Sequence, residues 1–462
     1  MLVSFVCEPL LTGLGAGGYM LVVAPGRAPV LLDFFVEAPG RGGRARRAEL
    51  IPVTVSFGDA VQVFNIGAAS VGTYGTPAGL CAAADRFGRI PLRELVPPAA
   101  AFARAGVEVS TEQAYVISIL ESVATATPES AAVFAPGGKA LRAGDTIRQP
   151  ELADALERLG AEGAAPFYDG DIANAVAAWI ADRGGTLSAA DLAAYCVRDR
   201  EPVRVPYRGR EVLTNPPPSA GGILIAYALA LLDSDDAGPG LERLVGVMER
   251  AQSERTPEFL AGLDEGGFAA RFLSSRGVGT GPLGSTTHIA VLDRAGWACS
   301  VTCSNGSCSG EVVPGTGIHL NNMLGEQDLN PQGFHRHPPG RRLPSMMAPT
   351  IVLREGSPEL VLGSAGSNRI RSAILQTIIR VIDDGMRAGP AVQAPRVHVE
   401  DGIVYVEPGI DTAPLEAAGR AIARFRDRNL FFGGVQAVER DQVRGFSGGG
   451  DERRGGAAVV VA

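Results

Sequence analysis

The chain has 462 residues, 46% of them apolar and 20% charged, a balance that supports a large buried core and excludes global disorder. A net charge of −8 argues against nucleic acid or an anionic membrane surface as a main partner, and no run reaches the length of a membrane-spanning helix. The opening stretch, "MLVSFVCEPLL", is apolar but has no basic leader and is interrupted by Glu8. It makes a poor signal peptide and reads as the end of a helix entering a loop. Six cysteines without CxxC spacing add to an expectation of reduced thiols and a cytoplasmic location. "YMLVVAP" (19–25) and "PVLLDFFVE" (29–37) are strand-like runs joined by a Pro/Gly turn, a hairpin signal. Between 92 and 195, helical patterns such as "PLRELVPPAAAFARAG" and "DIANAVAAWIADRGG" alternate with glycine-bearing turns. "TNPPPSAGGILIAYALALL" passes from a proline-rich loop into an apolar helix, and the more polar 233–285 ends in the flexible-looking "SSRGVGTGPLGS". Strands are expected at 286–293, 297–304, 350–354 and 359–366, then a helix in "RIRSAILQTIIRVIDDG" and a strand-rich close from "GIVYVEPG". Strands at both ends with helices between predict one layered α/β domain, with sheets packed on sheets and helices outside.

Three short motifs invite chemistry and give little. "GLGAGG" places Gly13, Gly15 and Gly18 in a GxGxxG pattern, but a strand follows where a dinucleotide site needs a helix. A turn needing positive φ or close backbone approach is the better reading. "GSCSG" resembles a nucleophile elbow centred on Cys308, yet "EVVPGTG" follows instead of a helix, so a turn residue is expected. His335 and His337 have no nearby carboxylate or cysteine pattern to complete a metal site. No metal or cofactor is expected.

The stretch "GSTTHIAVLDRAGWACSVTCSNGSCSG" (284–310) carries more. Threonine is common in strands, so an ordinary hairpin is one reading. The other is that the chain is cut before Thr286. A threonine hydroxyl needs an adjacent base, and a freed α-amine, with a pKa of about 8, supplies one on the same residue. The same hydroxyl makes the cut by attacking the preceding carbonyl in an N-to-O acyl shift.

The wider pattern resembles the gamma-glutamyltransferase family of N-terminal-nucleophile hydrolases. It runs through "EPLLTGLGAGGYMLV", "GTPAGLCAAADRFGRIPLRELVPPA" (75–99), "LSAADLAAY" (187–195) and "PPPSAGGI" (216–223). "TTHIAVLDRAGWACSVT" (286–302), "PGTGIHLNNML" (314–324), "RLPSMMAPTIVL" (342–353), "GSAGSNRI" (363–370) and "APRVH" (394–398) continue it. The resemblance implies a four-layer αββα sandwich and a proenzyme that cleaves itself into a large subunit, 1–285, and a small subunit, 286–462. It implies Thr286 as nucleophile, Ser304 as a second hydroxyl beside it, and Gly366 and Ser367 as paired backbone donors for the oxyanion. It also puts Asn305 and Glu326 near the α-amino group of the substrate and Ser345 near its α-carboxylate.

Three departures bear on specificity. Phe35 stands where family members carry an arginine that grips the glutamyl α-carboxylate, Met346 replaces a serine, and Met323 replaces a polar residue. The leading expectation is an enzyme that cleaves γ-glutamyl amides such as glutathione, passing the acyl group to water or an acceptor amine. An acylase for a more apolar acyl group, a non-processing scaffold and an active-site thiol are the alternatives.

Overall fold

The computed structural model describes residues 1–56, 61–233, 240–274 and 286–461. Its centre is a pair of stacked sheets. One has five strands in the order Thr287–Leu292, Ala298–Ser304, Gly17–Val23, Val30–Phe34 and Arg198–Arg200. The other has six, in the order Gly445–Gly450, Gly434–Asp441, Ser357–Ala365, Thr350–Arg354, Arg210–Thr214 and Val203–Tyr207. All their pairings are antiparallel. The predicted hairpins at 19–37 and 286–304 are both present, and "YMLVV" is buried along its whole length because layers cover it on both faces.

The sheets meet through small and hydroxyl side chains. Ser300 Oγ donates to the Leu362 carbonyl at 2.9 Å and accepts from the Thr350 N–H at 3.0 Å. Gly363 lies directly under His288, so close that a Cβ there would sit 2.3 Å from the imidazole. Helices Ala220–Asp233, Arg369–Ile382 and Ala388–Gln393 cover the outer face of the six-stranded sheet, and Thr76–Phe87 packs on the five-stranded one. Helix–sheet–sheet–helix is therefore the observed order, the N-terminal-nucleophile sandwich that the sequence predicts. In Arg369–Ile382 the apolar Ile370, Ile374, Leu375 and Ile378 recur at helical spacing and are all buried against the sheet.

The motifs resolve on physical grounds. Gly15 and Gly18 lack positive φ; a Cβ on either would come within 2.4 Å of a carbonyl oxygen, of His319 and Thr302 respectively. Close approach is thus the part of that reading the structure supports. Cys308 has a φ of 68° in a tight turn, is fully buried, and points its sulfur at the Leu10 carbonyl, 3.3 Å away. His337 bonds the Leu329 carbonyl at 2.8 Å. Residues 241–274, read from the sequence only as polar, hold the helices Leu241–Ser253, Pro257–Gly262 and Phe268–Ser274. The run read as flexible, 275–285, lies outside the described residues.

Candidate active site

Antiparallel register brings the sequence-predicted residues to one end of the five-stranded sheet. Thr287 pairs with Cys303 and Gly17 with Ser304, so Thr286, just before its strand, lies beside Ser304, the last residue of the next one. Both are buried, 4% and 3% exposed, and both line a narrow cavity of about 30 Å³. Phe35, Glu326, Ser345 and Ser367 line it too, together with both methionines singled out in the sequence, Met323 and Met346.

Each wall residue is fixed locally. Ser304 Oγ accepts from the Gly306 N–H at 2.9 Å, and Ser345 Oγ from the Met347 N–H at 3.0 Å. Gly366, with φ 112°, and Ser367, with φ 55°, make the sharp turn from strand Ser357–Ala365 into helix Arg369–Ile382. Ser367 faces the cavity, whereas Gly366, its chain neighbour, does not line it. Phe35 is 1% exposed and stacks on Tyr19 with centroids 5.3 Å apart. A guanidinium does lie nearby, that of Arg342, but it is committed to the Cys196 carbonyl at 2.7 Å and to Asp33 at 3.2 Å on the backbone side of Phe35.

Two predicted residues are not on the wall, Gly366 and Asn305. Asn305 was expected at the substrate's amino group; its side chain instead turns into the buried junction with Gly13 and approaches the His319 carbonyl at 3.4 Å. The cause is the tight turn after Ser304, where Gly306 and Cys308 both take φ 68°.

The cavity also holds residues the sequence reading missed. Asp328 is buried and accepts from Ser367 Oγ at 2.5 Å, and Leu329, Met347 and Ile370 complete the wall. Glu8 accepts from Thr287 Oγ at 2.6 Å, one residue from Thr286. Burial pushes the Glu326 carboxyl up to about 8, with the neighbouring Asp328 adding to the shift. Burial likewise pushes Asp328 up to about 6, against the pull of Arg255. His288 is driven down to about 3 by burial, so its ring is neutral, and it bonds Thr302 Oγ1 at 2.8 Å.

These shifts carry a sign. A carboxyl raised on folding binds its proton more tightly in the native state, so its contribution to stability is present at acid pH and is lost as pH rises towards the folded value. Glu326→Gln should therefore flatten the fall in stability between roughly pH 5 and 8, where Glu326 costs up to about 1.4 kcal/mol per pH unit. Urea unfolding of both proteins across that range checks this; parallel curves would place Glu326 in an ordinary solvated state.

Comparison with known proteins agrees with the geometry. The family pattern described as gamma-glutamyltranspeptidase matches residues 1–276 and 269–461. The acylase ACY 1 proenzyme of Pseudomonas sp. (strain SE83) is 31% identical over 99% of this chain and 87% of its own length. The glutathione hydrolase proenzyme of Escherichia coli (strain K12) is 32% identical over 90% of this chain and 80% of its own. Among solved structures, the cephalosporin acylase from Bacillus halodurans superposes with a TM-score of 0.80 at 25% identity, over 99% of this chain and 89% of that one. With a stacked-sheet core and a threonine just before the edge strand Thr287–Leu292, the chain belongs to the gamma-glutamyltranspeptidase family and is an enzyme of the N-terminal-nucleophile hydrolase or transferase type.

Proposed function

We propose that this protein is an autoprocessing amidase whose acyl pocket takes an apolar acyl group, with Thr286 as the nucleophile freed by cleavage after Ser285. The products are the subunits 1–285 and 286–462. In the mature enzyme Thr286 Oγ attacks the amide carbonyl while its own α-amine accepts the hydroxyl proton. The oxyanion is met by the backbone N–H groups of Gly366 and Ser367, fixed by their strand-to-helix turn. Collapse of the tetrahedral intermediate breaks the C–N bond, and the ammonium returns its proton to the leaving amine. Water, or an acceptor amine, then attacks the Thr286 ester by the same route and releases the acyl group.

The observation that carries the apolar reading is the composition of the wall. Phe35, Met323, Leu329, Met346, Met347 and Ile370 face the cavity, and among the described residues no arginine or lysine lines it. A free α-carboxylate buried there would lose its water without gaining a cation, which is costly. Similarity to proteins named acylases supports the same choice. The second reading, γ-glutamyl amides such as glutathione, is favoured by Glu326 and Asp328, two carboxyls placed to receive an ammonium group. It is also favoured by the glutathione hydrolases among the relatives.

Comparing kcat/KM for γ-glutamyl p-nitroanilide with that for hexanoyl and phenylacetyl p-nitroanilides separates them. At least tenfold in favour of an apolar anilide, about 1.4 kcal/mol of transition-state discrimination, is expected. A preference for the γ-glutamyl compound would establish the second reading instead.

A further inference from the structure

A second cavity, of about 320 Å³, shares no wall residue with the one around Thr286. It lies where helix Pro128–Phe134 and the start of helix Pro150–Glu162 meet the short ribbon of Val312–Val313 and Ile318–His319. Its volume falls within the range of small-molecule sites.

The polar groups inside it are incomplete. His319 is 8% exposed, and neither ring nitrogen has a hydrogen-bond partner; the ring only tilts against Phe134 at 5.7 Å. His288, His337 and His398, by contrast, each bond through at least one nitrogen. Burial drives His319 down to about 3, so at neutral pH it offers one donor and one acceptor, both unused. Oε2 of Glu129 is also buried without a partner. Arg148 stands exposed on the same wall and forms no ion pair among the described residues. The remaining charged wall residue, Glu151, is already engaged, accepting from the Gly315 N–H at 3.0 Å. Val133, Phe134 and Leu152 supply an apolar side. Buried polar groups left unpaired are rare enough in folded proteins to need a reason.

We propose that this cavity is a binding site for a free α-amino acid with an apolar side chain. The carboxylate pairs with Arg148 and accepts from His319, the ammonium donates to Glu129, and the side chain rests on Val133, Phe134 and Leu152. A simple anion would face Glu129 and Glu151, and a simple cation would face Arg148; a zwitterion satisfies both ends, and its carboxylate gives the imidazole N–H an acceptor.

The test uses the full chain with ¹³C-labelled histidine, its His319 signal assigned by loss in His319→Gln. Leucine should shift that signal saturably. Arg148→Ala, a change at an exposed position, should weaken binding about tenfold or more, as loss of a charge-assisted pair does. Glu129→Gln should weaken it as well. Isovalerate, which lacks the ammonium, and isoamylamine, which lacks the carboxylate, should each bind at least about tenfold more weakly than leucine. No movement of the His319 signal at tens of millimolar leucine would mean the cavity holds only water, and would overturn the proposal. So would leucine binding that Arg148→Ala leaves unchanged, or equal binding by either half-ligand.

Discussion

Thr286→Ala should yield a single uncleaved chain with no measurable amidase activity, a loss of about 10⁴-fold or more in kcat/KM. The size follows from the double use of one oxygen. In the proposed mechanism the Oγ that attacks the carbonyl of residue 285 during maturation later attacks the substrate, so alanine removes the cut and the turnover together. It also leaves the α-amine locked in a peptide bond, which abolishes the base. Thr286→Ser keeps an oxygen and should still process, more slowly, because the β-methyl that restricts χ1 is gone. A denaturing gel and intact mass read the cut, and an anilide assay reads the turnover. Two normal bands from Thr286→Ala would move the junction elsewhere. The thiol alternative forecasts that alkylation stops turnover, but Cys308 is buried, carries a thiol that burial pushes up, and does not line the cavity. Alkylating the accessible cysteines should accordingly leave turnover intact.

What the sequence disclosed depended on how far each contact reached. The two hairpins are local, so Thr286 and Ser304 meet through one turn and a register that alternating strands make readable. The helix Arg369–Ile382 was legible from the spacing of its isoleucines. The apolar wall was legible only where a residue replaced a family polar group, as at Phe35, Met323 and Met346. Leu329, Met347 and Ile370 converge on the same cavity from separate segments, and no periodicity records that. Asp328 was missed because successive 3-10 turns, Met323–Gly325 and Gln327–Leu329, bring it round to the wall that already holds Glu326. Asn305 was misplaced for the converse reason: its side-chain direction is set by two positive-φ residues just after it, a backbone choice that residue type alone does not reveal at Cys308. The helices between 241 and 274 escaped notice since Leu241–Ser253 interleaves its buried face with charged residues and the other two span only about two turns each.

Gly366→Ala should lower kcat about 10²- to 10³-fold while changing KM little, the signature of a lost oxyanion donor. At φ 112° an L side chain is strained, and the added Cβ would stand 2.9 Å from Gly433 Cα and 3.2 Å from an Arg454 nitrogen. Both Gly433 contacts, at Cα and at 3.4 Å to N, are with backbone and not with the far end of a flexible side chain. The turn has to give instead, and with it the direction of the Gly366 and Ser367 N–H groups. Strain of this kind costs about 1–3 kcal/mol of stability, which a large core tolerates. Ser367→Ala supplies the contrast. It removes the Oγ that donates to Asp328 at 2.5 Å but keeps the backbone N–H, and should cost less than about tenfold in kcat. If both variants fall equally, the Ser367–Asp328 bond sets the geometry and the main chain does not. If Gly366→Ala turns over at the native rate, the oxyanion is held elsewhere, and the strand-to-helix turn serves the fold alone.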